Sequence, residues 1–459
     1  MSGENIQFSK KFIHGELMLG FWSFAKKGVG TLDSFFILKA LSLYQFGVYQ
    51  LILAGYAFLS DFFHDLFAET ISNDLQRLIG EKKEAEAKKL FREYVVFRFG
   101  MALIPWAIIF FGAPYFSFRY GEDVIWWARI LSFLFIMDAV LNLSTLLLKV
   151  RLEMSHLATR PTIQKSVQLI MLMYFFFFSK LGIAEIFISQ IGATIVVFFI
   201  LVPTLYSCLT PWRGIVLAKR GLFWPAIRSY GKWELPRAFF SDFGGKVRPW
   251  VIKFFLNTEA VGIFGFANAI LSALKDLLPI RTLGLLAPQK AHDQYYMRFL
   301  YTYGTKYFVL MSVGIAIAAA IAVPSMVRFL FPHFTSSIPI LYVLLIVIPI
   351  FGFSKIITTL LVVERQQKFI FYQAVVQSVF TVAFLVLFLP LFGIMGLAFS
   401  EIAAVLFSTT VRYWHLVRLG VIERFPFRIL WHFGDEDRRI FLVIRGHARS
   451  FLPIMFQRA

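Results

Sequence analysis

The chain is a succession of apolar stretches, about twelve of them, and each is long enough to cross a bilayer, which takes ~20 residues at ~1.5 Å of rise each. Val309–Val327 carries no charge, and Phe369–Leu391, Ile183–Tyr206 and Phe97–Phe118 are nearly as clean. Such a pattern predicts an all-α integral membrane protein and excludes a soluble enzyme. Composition agrees: 58% of the 459 residues are hydrophobic and the mean hydropathy is +0.70, against roughly 45–50% apolar in a soluble domain.

The net charge of +19 is first a topology signal in a chain of this kind. The expected spans are Gly15–Leu41, Tyr44–Asp65, Glu93–Ser117, Val124–Leu148, Pro161–Ser179 and Ile183–Tyr206, then Trp233–Leu256, Val261–Pro288, Tyr307–Val327, Ile338–Val363, Phe369–Leu391 and Ile394–Trp414. Links after even-numbered spans hold most of the base, including Arg77, Lys82, Lys83, Lys88, Lys89, Arg92, Arg213, Lys219, Arg220 and Arg228. The other links carry only Arg119, Lys180 and Arg328. Positive links stay cytoplasmic, so both termini are expected in the cytoplasm of a cell whose plasma (inner) membrane the chain spans. Lys26 and Lys27 interrupt the first apolar stretch and no small-residue cleavage site follows, so the first span is expected to be permanent. The single cysteine, Cys208, allows no internal disulfide.

The outer links are tight turns. The inner ones are longer and amphipathic: Asn73–Arg92 offers a Glu84–Lys88 pair at i,i+4, and Trp212–Tyr230 mixes aromatics with base. Both are expected on the cytoplasmic leaflet. The segment after Arg418 is basic and aromatic (Phe425, Phe427, Trp431, Arg438, Arg439), and attachment to anionic membrane lipids is its expected role.

Leu41–Tyr49 resembles Leu256–Phe264, with Gly47 opposite Gly262, and in the same register Asp61 meets Asp276. Gly182–Ile183 continuing to Ser189–Ile191 matches Gly393–Ile394 continuing to Ser400–Ile402. The first match joins span two to span eight and the second joins span six to span twelve. Two parallel six-helix bundles follow, around a central cavity, and substrate sites in such repeats lie where the bundles meet. The expected organisation is an N-terminal bundle over 1–206, an amphipathic link over 207–232, a C-terminal bundle over 233–416 and a tail over 417–459.

A charge inside a membrane is costly, so it tends to face a cavity. The repeat-related first and seventh spans hold most of them: Lys26, Lys27, Asp33 and Lys39 in one, Glu234, Arg237, Asp242, Lys246, Arg248 and Lys253 in the other. Arg237 and Arg248 share one helical face, and Asp242, Lys246 and Lys253 another, roughly 140° away on an ideal helix. Gly244, Gly245 and Pro249 offer a break that lets both stripes reach one chamber. The alternative is a private Asp242–Lys246 ion pair with snorkelling ends. The candidate cationic cavity is Lys26, Lys27, Arg237, Lys246, Arg248 and Lys253, whose sign suits a phosphate or pyrophosphate and not an organic cation. Asp33, Asp61, Asp138, Asp242 and Asp276 are candidates for coupling to H+ or Na+ or for gating. Asp61, His64 and Asp65 have a spacing that fits a metal, although charges are expected at a span end in any case, and no metal or other cofactor is expected. No Walker loop, nucleotide fold or nucleophile elbow occurs, and base confined to membrane links does not imply nucleic acid.

Leu41–Tyr49 resembles the turn that closes the first hairpin of polysaccharide-repeat flippases. Trp233–Pro236 and Val261–Ala267 are similar to that family's seventh- and eighth-span elements, and Pro390–Ala398 to the element before its last span. The resemblance covers about residues 10 to 415 and points to the O-antigen (lipid-linked oligosaccharide) flippases of the multidrug/oligosaccharidyl-lipid/polysaccharide exporter superfamily. It implies transport and not bond-making: a polyprenyl-pyrophosphate-linked oligosaccharide carried from inner to outer leaflet by alternating access between two six-helix bundles, for O-antigen, capsule or exopolysaccharide biosynthesis, alongside polysaccharide polymerase machinery. The long tail beyond Arg418 departs from the family pattern. The alternative is a cation-coupled multidrug exporter of the same superfamily.

Overall fold

The computed structural model describes residues 3–64, 67–120, 123–230, 243–278, 298, 300–364, 366–423, 425–431, 433, 434 and 437. All regular structure among them is helical. The first half holds α1 (Gly3–Ala40), α2 (Leu43–His64), α3 (Ala68–Gly80), α4 (Glu84–Tyr120), α5 (Asp123–Val150), α6 (Met154–Phe178), α7 (Ile183–Leu209) and α8 (Phe223–Tyr230). The second holds α9 (Phe243–Phe255), α10 (Thr258–Lys275), α11 (Thr305–Leu330), α12 (Ile338–Leu344), α13 (Val347–Val363), α14 (Gln367–Phe392) and α15 (Met395–Arg418). Each expected span contains one of these helices, α12 and α13 together filling the tenth.

By length and hydropathy, six described helices qualify as membrane-crossing, or seven if the bent pair Pro332–Leu344 and Val347–Val363 is one span. That pair bends by 49°, and the cause is local. Pro349 has no N–H, and its ring crowds the carbonyl four residues back, at Leu345, where the helix breaks. The helices that fall short carry charges or a run of Gln and Tyr, or end at residues outside the described set.

The chain forms two compact units. One is Met1–Ala267 with Met326–Ile338 and Ala374–Leu397; the other is Asn268–Ser325, Pro339–Gln373 and Ala398–Ala459. These units cut across the expected halves. The α9–α10 turn, the 331–337 link and part of α14 pack with the N-terminal helices.

In the first unit α1 lies on α6, α4 on α5, α5 and α6 on α7, and α2 on α9. The expectation that the inner links rest on lipid is corrected here. Ile71, Leu75 and Leu78 of α3 fall on one helical face and are buried with Leu90, Leu143, Leu147, Trp212 and Phe223. An amphipathic helix needs an apolar surface, and α4, α5 and α8 supply it in place of acyl chains. The Glu84–Lys88 pair is also absent. Glu84 accepts a two-pronged hydrogen bond from Arg151 (3.1 and 3.2 Å) and another from Trp212 Nε1. Lys88 Nζ donates instead to the carbonyls of Trp212 and Ile215, at 2.8 and 2.9 Å. A planar guanidinium fork satisfies both carboxylate oxygens at once, which a neighbouring ammonium cannot do.

In the second unit Tyr301, Ile356, Ile357, Leu360, Leu361, Leu416, Ile422 and Phe425 form the core. Of the tail residues expected on lipid, Phe425 is docked on protein, a correction to that expectation, whereas Trp431 is 84% exposed and Arg438 and Arg439 lie outside the described residues. Phe425 packs edge-on to Tyr301 and Phe353, and Asp437 accepts from Lys306 Nζ at 2.7 Å and Tyr307 Oη at 2.6 Å. Lys306 is wholly buried. A buried ammonium needs a carboxylate partner, and the tail provides one.

Candidate functional site

Two turns that the sequence pairs as repeats meet in the first unit. A methyl on Gly47 would stand 2.0 Å from the Thr258 carbonyl oxygen, and one on Gly262 would stand 2.4 Å from that of Leu43. Leu43 precedes Gly47 by four residues and Thr258 precedes Gly262 by four, so each contact is the image of the other. Only glycine lets the α2 and α10 backbones approach this closely. Aromatic rings cover the crossing: Phe334 stacks on Phe266 (4.5 Å) and meets Phe46 edge-on (5.5 Å), while Phe331 meets Phe35 and Phe266, each at 5.6 Å. These rings pack within the first unit, beside the short 41–42 and 256–257 links.

Asp33 lies on α1 and is 3% exposed. Its Oδ2 accepts from Lys165 Nζ of α6 at 3.1 Å, and Lys165 also donates to Gln168 Oε1 at 2.9 Å. Asp33 Oδ1 is buried with no hydrogen-bond partner. An unsatisfied carboxylate oxygen in a buried pair is a place where a proton or a small cation lowers the energy. Asp138 of α5 is half-buried and accepts a hydrogen bond from Tyr56 Oη of α2.

The bases of α9 are spread around the helix. Arg248 lies over the Phe264 ring of α10, 5.5 Å from its centre, and Lys246 is half-buried. Lys253 Nζ donates to Thr258 Oγ1 at 2.6 Å, which ties it to the α9–α10 turn. The expected break does not occur within the described helix, which runs unbroken through Gly244, Gly245 and Pro249. Gly244 is needed for packing: a methyl there would stand 2.9 Å from Thr381 Cβ of α14. Lys26, Lys27 and Asp276 are exposed. Arg237, Asp242, Glu234 and Asp65, and the side chains of Asp61 and His64, lie outside the described residues.

A cavity of about 140 Å³ opens between α2, α4, α5 and α9, lined by Val48, Leu51, Gly55, Ile108, Leu131 and Trp250 among others. Its walls are apolar except for Tyr56, so it suits hydrocarbon and not a charged head group.

Among the described residues, cations outside the predicted set also fall inside helices, Lys165, Lys355 and Arg412 among them. Lys165 partners Asp33, as above. Lys355 of α13 and Arg412 of α15 lie in the second unit, where Arg412 Nε donates to Gln373 Oε1 at 2.9 Å and its Nη1 to Thr358 Oγ1 at 3.0 Å. Lys355 was visible as a lone base in the apolar run of the tenth span. Lys165 and Arg412 sit close to span ends, where a base ordinarily snorkels and gives no signal.

No protein-family model matches the chain, and no curated protein sequence does. Solved structures do match. An inward-facing multidrug resistance MATE family transporter of the MOP superfamily aligns with a TM-score of 0.70 at 12% identity, covering 85% of this chain and 95% of that one. The lipid II flippase MurJ in an inward closed conformation aligns with a TM-score of 0.71 at 13% identity, covering 90% and 89%. A MOP superfamily transporter from Pyrococcus furiosus, described as having a binding pocket of reverse polarity, gives 0.53 at 11% identity over 90% and 96%. The chain therefore shares the fold of these solved MOP superfamily transporters.

Proposed function

We propose that this protein carries a polyprenyl-pyrophosphate-linked oligosaccharide from the inner to the outer leaflet of the plasma membrane by alternating access. The observation that carries this reading is the sign of the helix-embedded charge. Lys246, Arg248 and Lys253 stand on the described part of α9 with no acid among them, and Lys26 and Lys27 add to them on α1. A pyrophosphate and a string of hydroxyls cannot cross hydrocarbon unaided, since each unpaired polar group costs several kcal/mol and each charge far more. Arg248 and Lys246 attract the pyrophosphate, with Arg237 beyond the described start of the helix. The apolar cavity beside Trp250 offers room for part of the prenyl chain. The Gly47–Gly262 crossing serves as the outer closure, so the cargo enters from the side of the basic links. MurJ, a lipid II flippase by name, has this fold, which is consistent with a lipid-linked cargo.

The test is reconstitution in liposomes with a fluorescent lipid-linked oligosaccharide and a membrane-impermeant quencher. Protein-dependent exposure of the head group on the opposite leaflet is the expected outcome; a rate equal to that of empty liposomes refutes the reading.

One observation favours the second reading, a cation-coupled multidrug exporter. Asp33 Oδ1 is buried without a partner, as an ion-coupled carrier requires. The same liposomes separate the two: efflux of a cationic dye down a proton or sodium gradient, without head-group transfer, selects the exporter. Under the flippase reading, Asp33 couples head-group transfer to the same gradient.

A further inference from the structure

The link that follows α7 is pinned to α4 at successive heights. Lys88 holds the carbonyls of Trp212 and Ile215. Further along α4, Glu93 Oε2 accepts from the N–H groups of Leu222 and Phe223, both at 3.0 Å. The Phe223 ring then meets Tyr94, at 6.2 Å, and Phe97, at 4.8 Å. At ~1.5 Å of rise per residue, the link descends roughly 14 Å between the levels of Lys88 and Phe97. Phe97 opens the apolar run Phe97–Phe118, on a helix long and apolar enough to cross a membrane. The start of α8 is therefore level with the edge of the hydrocarbon.

At that level the faces of α8 divide. Phe223 and Ile227, one turn apart, are buried in the core with Tyr94 and Leu90. Trp224 and Arg228, also one turn apart, lie on the other side: Trp224 is 62% exposed and Arg228 is exposed, as are Lys219 and Arg220 just before the helix. No acid occurs between Glu185 and Glu234. Glu93, which meets the link, spends one oxygen on the two N–H groups and the other on Lys89, at 3.4 Å. An indole at the hydrocarbon edge rests with its ring among the head groups. Basic side chains beside it lay their stems on apolar surface and reach the phosphates.

We propose that Trp224, with Lys219, Arg220 and Arg228, forms a binding surface for anionic phospholipids in the leaflet on the side of the basic links. The ring fixes the depth of the α7–α9 link and the bases select negatively charged head groups. The α3 helix differs because it stands at the other end of this ladder, before Glu84, and spends its apolar face on protein. The surface does not depend on what the protein carries, so it stands or falls apart from the flippase reading.

The experiment uses the full chain as C208S/P225C, labelled with a small fluorophore at the exposed position 225, in nanodiscs of phosphatidylcholine and phosphatidylglycerol. A nitroxide is carried near the head group of one lipid or the other at equal mole fraction, and iodide is the aqueous quencher. C208S/K82C is the control, on the exposed turn before α4, about 20 Å along that helix from Phe97. The nitroxide lipids are expected to quench P225C and not K82C, and iodide the reverse. Nitroxide on phosphatidylglycerol is expected to quench P225C about threefold more than nitroxide on phosphatidylcholine, with parity in K219Q/R220Q/R228Q. Quenching of P225C by iodide and not by nitroxide lipid overturns the proposal, as does equal nitroxide quenching of K82C. Equal quenching by the two lipids before the bases are changed also overturns it, and so does a preference for phosphatidylglycerol that survives in the triple variant. If P225C does not fold, W224C is read in the same way for depth. Quenching as expected without head-group transfer in liposomes leaves this surface standing and refutes the flippase reading; transfer without quenching does the reverse.

Discussion

Gly47 and Gly262 are images of one another: each accepts, where a methyl would be, the carbonyl of the residue four before the other. A self-complementary contact of this kind is what a two-fold relation between repeats produces. The relation is readable in the sequence because the glycine must be kept in both copies for the helices to touch.

The crossing is expected to fail when either glycine gains a side chain. In a C208S background a cysteine at Phe334, which is wholly buried, reports opening of the crossing. G262A is expected to raise maleimide labelling of F334C, because the 2.4 Å approach to Leu43 O leaves no room for the methyl. G28A, with nothing within 4 Å, is expected to leave labelling unchanged. Equal labelling in both variants contradicts the account of the crossing.

Asp33 and Lys165 give a prediction about driving force. D33N removes the charge while keeping the shape. Lys165 is 36% exposed and remains solvated, so the loss of stability is about 1–2 kcal/mol, below the ~3–5 kcal/mol of a fully buried pair. Head-group transfer by D33N is expected to continue but to stop responding to an imposed proton or sodium gradient. A response equal to that of the wild type removes Asp33 from the coupling role.

The Glu84–Arg151 fork ties α4 to the end of α5. E84Q is expected to cost about 1–3 kcal/mol and to lower the Tm. A double-mutant cycle with R151A isolates the pair: a coupling energy near zero shows that the fork is not structural.

Asp437 makes tail docking pH-dependent. Burial pushes its carboxyl up, but hydrogen bonds from Lys306, Tyr307 and the Gly434 N–H, with the Lys306 charge, outweigh that and bring it from 3.8 down to about 2. A carboxyl lowered on folding contributes fully above its unfolded value and loses that contribution as pH falls through its folded one. Docking is therefore constant at neutral pH and is lost as pH falls from about 4 toward 2. D437N is expected to undock the tail at pH 7 and to speed trypsin cleavage after Arg428 about tenfold, the equivalent of one lost charged hydrogen bond. Unchanged cleavage contradicts the docked arrangement.

The spans were legible because hydropathy summed over ~20 residues tolerates errors at single positions. The Gly47–Gly262 relation was legible through the repeat. Partner choice was not. Glu84 has Lys88 at helical spacing, yet it binds Arg151, whose approach depends on how α4 and α5 pack. The apolar face of α3 reads the same whether lipid or protein covers it. Lys165 and Arg412 lie near span ends, where a base gives no sequence signal, and only the packing of α6 on α1 and the hydrogen bonds of Arg412 to Gln373 and Thr358 bring them inside.

The most direct test of a basic interior that carries a phosphorylated head group is the transfer rate of lipid-linked oligosaccharide in liposomes containing K246E/R248E. The variant is first checked by gel filtration and Tm. The account predicts a fall of about a hundredfold, the equivalent of ~3 kcal/mol in total from the loss of two attractions and the gain of two repulsions. A folded K246E/R248E protein that moves the head group at the wild-type rate would contradict it.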